Sequence, residues 1–160
     1  LAESTPRPGY EEQIDNEKYE YKPRDFAAAR RNGIEDLLTR LNAARAAHPA
    51  LRQLRDIYFH PTSDDQILAY SKRVDAFHSP TGKDDVVLTV VNLDPHGARA
   101  GEVYLNLEAL GLPGWVDASR PVVRVTDALT GDSYEWSGQN YVRLDPFAGQ
   151  VAHVFSVEPL

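Results

Sequence analysis

The sequence predicts a mostly β protein, an antiparallel sandwich of eight strands, with helix confined to the stretch that precedes it. Three observations predict this. Past Leu54 the chain breaks into short runs rich in β-branched and aromatic residues. Compact turn signals separate those runs, as in sandwich folds. Upstream of Leu54, apolar residues instead recur at spacings of three and four, which is helical periodicity.

Residues 1–25 carry Pro6, Pro8 and Pro23, many charges and no apolar period, so they read as loop. Tyr10, Tyr19 and Tyr21 make the segment more aromatic than a disordered tail and predict that it packs on something. Asp25 is placed to cap a short helix through Arg31, and Asn32-Gly33 interrupts it. Ile34, Leu37, Leu38, Leu41 and Ala44 then share one face of a second helix, with Glu35, Arg40 and Arg45 opposite. His48-Pro49 stops it, because proline lacks a donor and restricts the residue before it.

The eight strand-like runs are residues 57–60, 67–74, 86–93, 103–107, 122–126, 134–136, 141–144 and 153–157. Residues 86–91 are almost wholly apolar, which predicts a central strand covered on both faces. Ser63-Asp64-Asp65 joins the first two runs, while Thr130-Gly131-Asp132 and Ser137-Gly138-Gln139-Asn140 read as hairpin connections. The composition shift near Leu54 predicts two parts, 1–54 and 55–160.

Composition removes several classes of function. The net charge of −7 is scattered, with no basic stripe to neutralise phosphates, so nucleic acid is not an expected partner. No run approaches the ~20 apolar residues of a membrane helix. Zero cysteines exclude a disulfide framework or a thiolate metal site and fit a reducing compartment, so a cytoplasmic location is expected. The start at Leu1 has neither an initiator methionine nor signal-peptide organisation, and the whole chain lacks methionine, so a piece of a longer chain is expected.

Catalytic signatures are weak. Asp64-Asp65 and Asp84-Asp85 lie between strand runs, where turn-making explains them. His48, His60, His78, His96 and His153 show no His-x-x-x-His spacing, so no metal is expected. Ser71 and Ser133 lack the Gly-x-Ser-x-Gly elbow, and Gly111-Leu112-Pro113-Gly114 is a turn, not a phosphate loop. No catalytic residue and no cofactor are assigned to this chain. Trp136 alternates with Tyr134 and reads as sheet or core packing, whereas Trp115 sits in a loop and is left unassigned.

The segment Thr39 to Leu51, ending His48-Pro49-Ala50-Leu51, resembles the last helix of an α-amylase-type (β/α)8 barrel, and the sandwich after it resembles domain C of that superfamily. Six segments in order carry a more specific resemblance. These are Asn16-Glu17-Lys18-Tyr19-Glu20, Pro23-Arg24-Asp25, Ala69-Tyr70-Ser71-Lys72-Arg73, Val90-Val91-Asn92-Leu93-Asp94-Pro95-His96, Leu129-Thr130-Gly131 and Asn140-Tyr141-Val142-Arg143-Leu144-Asp145-Pro146. Together they resemble the α-1,4-glucan:maltose-1-phosphate maltosyltransferases, the GlgE family.

The resemblance implies that residues 1–54 are the end of a catalytic barrel and that residues 55–160 are its supporting domain. It implies a retaining enzyme that moves maltosyl units from α-maltose 1-phosphate to α-1,4-glucans, with an aspartate nucleophile and a glutamate acid/base upstream of this chain. It also suggests a homodimer. Within this chain it assigns Lys18 and Tyr19 to the donor site, the lysine as a cation with three donors and the tyrosine as an apolar face with a hydroxyl. On their own chemistry the same two residues read as a solvated charge and a loop anchor. The alternative reading of the whole chain is a stand-alone carbohydrate-binding or interaction module.

Overall fold

The computed structural model describes residues 8–9, 21, 23, 25–31 (backbone only at 29) and 34–160. The chain divides into two compact units, Leu1–Arg40 and Leu41–Leu160.

In the first unit, α1 (Phe26–Arg31) starts at Asp25, whose Oδ1 accepts the N–H groups of Ala27 and Ala28 at 3.0 and 3.1 Å. These are donors that a helix start leaves without partners, so the aspartate acts as the expected cap. Tyr21, expected to pack, is instead 92% exposed. Tyr10 and Tyr19, on which the same expectation rests, lie outside the described residues. Helix α2 (Ile34–Ala47) follows, and Leu38 and Leu41 on its apolar row are exposed.

In the second unit the helix ends at Ala47, and after His48 residues Pro49–Arg52 form a 3-10 turn in which Pro49 and Ala50 are buried. Eight strands follow among the described residues: β1 (Ile57–His60), β2 (Ile67–Val74), β3 (Asp85–Asn92), β4 (Arg99–Tyr104), β5 (Val123–Asp127), β6 (Ser133–Trp136), β7 (Gln139–Leu144) and β8 (Ala152–Pro159). Six form one antiparallel sheet in the order β1-β2-β3-β8-β5-β6, and β4 pairs with β7 in a second sheet. The result is the predicted sandwich, with unequal layers.

Register explains the core. Ala69 opposes Val90, Ser71 opposes Leu88, and Leu88 opposes Phe155, so these side chains stand on one face of the large sheet. Ala69, Leu88, Val90 and Phe155 meet Val103, Val142 and Leu144 of the small sheet in a single apolar cluster. On the other face of β3, Val87 and Thr89 are also buried, so this strand is covered on both faces as its apolar run predicted.

Two expectations are corrected. The fourth strand is Arg99–Tyr104 rather than 103–107. Past Leu105 the chain turns, because Asn106 Oδ1 accepts the Ala109 N–H and Leu107 O accepts from both Leu110 and Leu112. Meanwhile Arg99–Glu102, poor in β-formers, are held by their ladder to β7. The second correction concerns Ser137–Asn140, which is a corner between sheets, not a hairpin: β6 pairs only with β5, and β7 with β4. Ser137 and Asn140 close the corner through a reciprocal pair of hydrogen bonds at 2.9 and 2.8 Å, while Gly138 bonds outward to Ala118 and Leu105.

Candidate functional site

Lys18 and Tyr19 lie outside the described residues. Of the described carboxylates that stood as possible pairs, Asp64, Asp84 and Asp85 are committed elsewhere. Asp64 Oδ1 accepts the Gln66 N–H at 2.8 Å and shapes the turn between β1 and β2. Asp84 accepts from Arg73 at 2.9 Å and from the Ala76 N–H at 2.7 Å, and the Arg73 hydrogen bond is the main cause that holds its pKa below the ordinary carboxylate value.

Asp85 corrects the turn reading of its dipeptide, because it is the first residue of β3. Its carboxylate accepts from His48 Nδ1 at 2.7 Å and from the Ala50 N–H at 2.8 Å. It therefore ties the 3-10 turn to the sheet. The motif residue Asn92 has a similar structural duty: its Nδ2 donates to the carbonyls of Gly97 and, across the sandwich, Leu144, while its Oδ1 accepts the Asp94 N–H.

The histidines are dispersed, and among the described residues no three His, Cys, Asp or Glu side chains gather as a metal site. His60 is buried on β1, with Nε2 2.9 Å from Ser71 Oγ and Nδ1 accepting the Asn106 N–H at 3.1 Å. Since Nδ1 accepts, Nε2 carries the proton and donates to the serine. Burial lowers the His60 pKa to about 4, so the ring is neutral near pH 7. His78 pairs with Asp75 through its backbone N–H and Nδ1, which lower the Asp75 pKa.

Asp127 and His153 form a buried pair inside the sandwich. Asp127 is fully buried, and its Oδ2 stands 2.7 Å from His153 Nδ1. Oδ1 accepts the N–H groups of Leu129 and Val154 at 2.9 and 3.2 Å. Burial pushes this carboxyl up, but the hydrogen bonds, led by the one from His153, outweigh it and hold the pKa below the ordinary value. Nothing in local spacing pointed to this pair, since 26 residues separate the two side chains.

Two cavities open on the second unit. The larger, about 680 Å³, is lined by Arg55, Asp56, Tyr58, Arg73, Asp75 and Glu108, among others. The guanidinium of Arg73 lies so close to Gly111 that a Cβ there would come within 2.6 Å of its Nε, and that Nε is buried without a hydrogen-bond partner. Mixed charges of this kind suit polar contacts better than binding of an anion. The smaller cavity, about 200 Å³, lies among Tyr134, Trp136, Tyr141, Arg143, Gln150 and His153. Trp136 is buried and meets Phe155 edge-on at 5.0 Å, as packing predicted, whereas Trp115 is 85% exposed and lines neither cavity.

Residues 59–157 match the family model described as "GLGE, C-terminal". Similar proteins include the α-1,4-glucan:maltose-1-phosphate maltosyltransferase of Arcanobacterium haemolyticum, 47% identical over all of this chain but 23% of the relative. Maltosyltransferase 2 of Streptomyces coelicolor is 48% identical over 98% of the chain and 22% of its own length. The maltosyltransferase of Mycobacterium tuberculosis is 44% identical over 94% of the chain and 20% of its own length. The chain thus spans about a fifth of these relatives. Since the matched residues run from β1 to β8 and take in both sheets, the chain belongs to the GLGE C-terminal family.

Proposed function

We propose that this chain is the C-terminal portion of a maltosyltransferase that moves maltosyl units from α-maltose 1-phosphate to the non-reducing end of α-1,4-glucans. In the retaining scheme an aspartate attacks the anomeric carbon as phosphate leaves with a proton from a glutamate. The glucan 4-hydroxyl then attacks the maltosyl-enzyme as the same glutamate takes its proton back. Both carboxylates belong to the rest of the protein. Residues 1–54 supply the end of a catalytic barrel, with Lys18 and Tyr19 on the donor sugar, and residues 55–160 form the domain that supports it. The protein works as a cytoplasmic homodimer.

The observation that carries this reading is identity of 47% over the whole chain to a relative named for that reaction. Exposed apolar side chains fit a part that rests on more protein: Leu38, Leu41, Leu54 and Phe59 all meet solvent. Phosphate release from maltose 1-phosphate with a glucan primer tests it. The full-length protein turns over and the 160-residue chain does not; full activity of the 160-residue chain alone would sink the proposal. In the full-length protein, Lys18→Ala and Tyr19→Ala each raise KM for maltose 1-phosphate about tenfold or more, the loss of one good polar contact. An unchanged KM would return both residues to a solvated charge and a loop anchor.

A further inference from the structure

The smaller cavity combines features that no local motif announces. It lies at the mouth of the sandwich, between the edge strand β6 of the large sheet and β7 of the small one, with β8 contributing His153. Tyr134 and Tyr141 line it and are 43% and 63% exposed. Burial first, then the charges of Asp132 and Asp127, raise the Tyr134 pKa, so its hydroxyl stays a neutral donor.

His153 is the fixed element. Its side chain is 9% exposed, its ring stacks on Phe155 at 4.8 Å and 16°, and Nδ1 is engaged by Asp127. A carboxylate on Nδ1 sets the ring's orientation and leaves Nε2 as the nitrogen open to a ligand. Among the described residues Nε2 has no protein partner, and it is not sealed from solvent.

Charge selects the ligand class. The guanidinium of Arg143 is paired with Asp145 at 3.1 Å, so an adjacent carboxylate balances its charge at the cavity. Aromatic residues beside a fixed imidazole, an amide and an ion-paired guanidinium suit a neutral polyhydroxylated ring better than a phosphate. The volume of about 200 Å³ and its open mouth suit one ring of a chain that continues into solvent.

We propose that this cavity is a subsite for one glucosyl ring of an α-1,4-glucan, with Tyr134 and Tyr141 as ring platforms and His153 Nε2 as the oriented hydrogen-bonding group. The choice of glucan rests on the transferase reading above; the neutral sugar ring rests on the cavity itself.

Hydroxyl-radical footprinting of the full-length protein with maltoheptaose tests it, read by mass spectrometry at the two tyrosines. Oxidation of Tyr134 and Tyr141 slows when the saccharide is present, and Tyr141→Ala weakens retardation in a glycogen gel about five- to tenfold, the loss of one aromatic platform. Equal oxidation with and without maltoheptaose, or unchanged retardation of Tyr141→Ala, overturns the subsite. Phosphate release from maltose 1-phosphate by the same wild-type sample separates the two readings. Turnover without tyrosine protection removes the subsite alone, whereas protection without turnover removes the transferase reading and leaves the subsite.

Discussion

His60 has both ring nitrogens in use, with Ser71 on one side and the Asn106 N–H on the other, and only the neutral ring satisfies both. Its pKa of about 4 lies below the free value of 6.5, so the unfolded chain binds the proton first as pH falls. Stability from this residue is therefore complete above about pH 6.5 and lost progressively down to about pH 4, by roughly 3 kcal/mol at most. A urea-midpoint profile should fall through that window, and His60→Gln should flatten it; an unchanged slope in the variant would place the titration elsewhere. Asp127 acts in a lower window with the same sign. Its folded pKa is lowered, so its contribution holds above the unfolded carboxylate value and fades below it. Asp127→Ala removes the carboxylate to which His153 Nδ1 and the Leu129 and Val154 N–H groups bond, and the expected loss is about 3–5 kcal/mol in urea unfolding at pH 7. Neither duty was legible in the sequence. His60 offers no spacing signal, and the partner of His153 lies on another strand.

Among the elements, β2 and β3 were legible because period and apolar content are local properties that their own residues carry. β4 was not, because Arg99–Glu102 become strand through their pairing with Tyr141–Leu144 of β7, far along the chain. The link from helix to sheet depends on Asp85, which bonds the His48 ring and the Ala50 N–H. Asp85→Ala should speed hydrogen exchange at residues 48–52 by about tenfold or more, since two hydrogen bonds hold that turn to β3. Amides in the centre of β3 should keep their protection. If exchange instead rises equally across β3, the aspartate supports the whole sheet and not this junction. The corner at Ser137–Asn140 makes a related point: its turn residues were recognised, but a turn does not reveal which strands it connects. β7 leaves for the second sheet because its inward Val142 and Leu144 are buried opposite the large sheet's apolar face.

Across the whole molecule, the unequal sandwich buries a continuous core while leaving large apolar side chains such as Leu54 and Phe77 in solvent. Leu54 is fully exposed, so Leu54→Ser should change the stability of the 160-residue chain by about 0.5 kcal/mol or less. In the full-length protein the same substitution should lower the melting temperature by several degrees if further protein covers that site. Equal, negligible shifts in both would show that Leu54 faces solvent throughout. The sequence by itself determined the class of the fold, the helix stop at His48-Pro49 and the central position of β3. Each follows from the conformational limits of proline or from the burial demand of a continuous apolar run, and both are local. Only the tertiary structure decided that β4 and β7 form a second sheet, that Asp127 orients His153, and that Tyr134 and Tyr141 line one cavity. Those features depend on the register between strands far apart in the chain, which no window along one sequence contains.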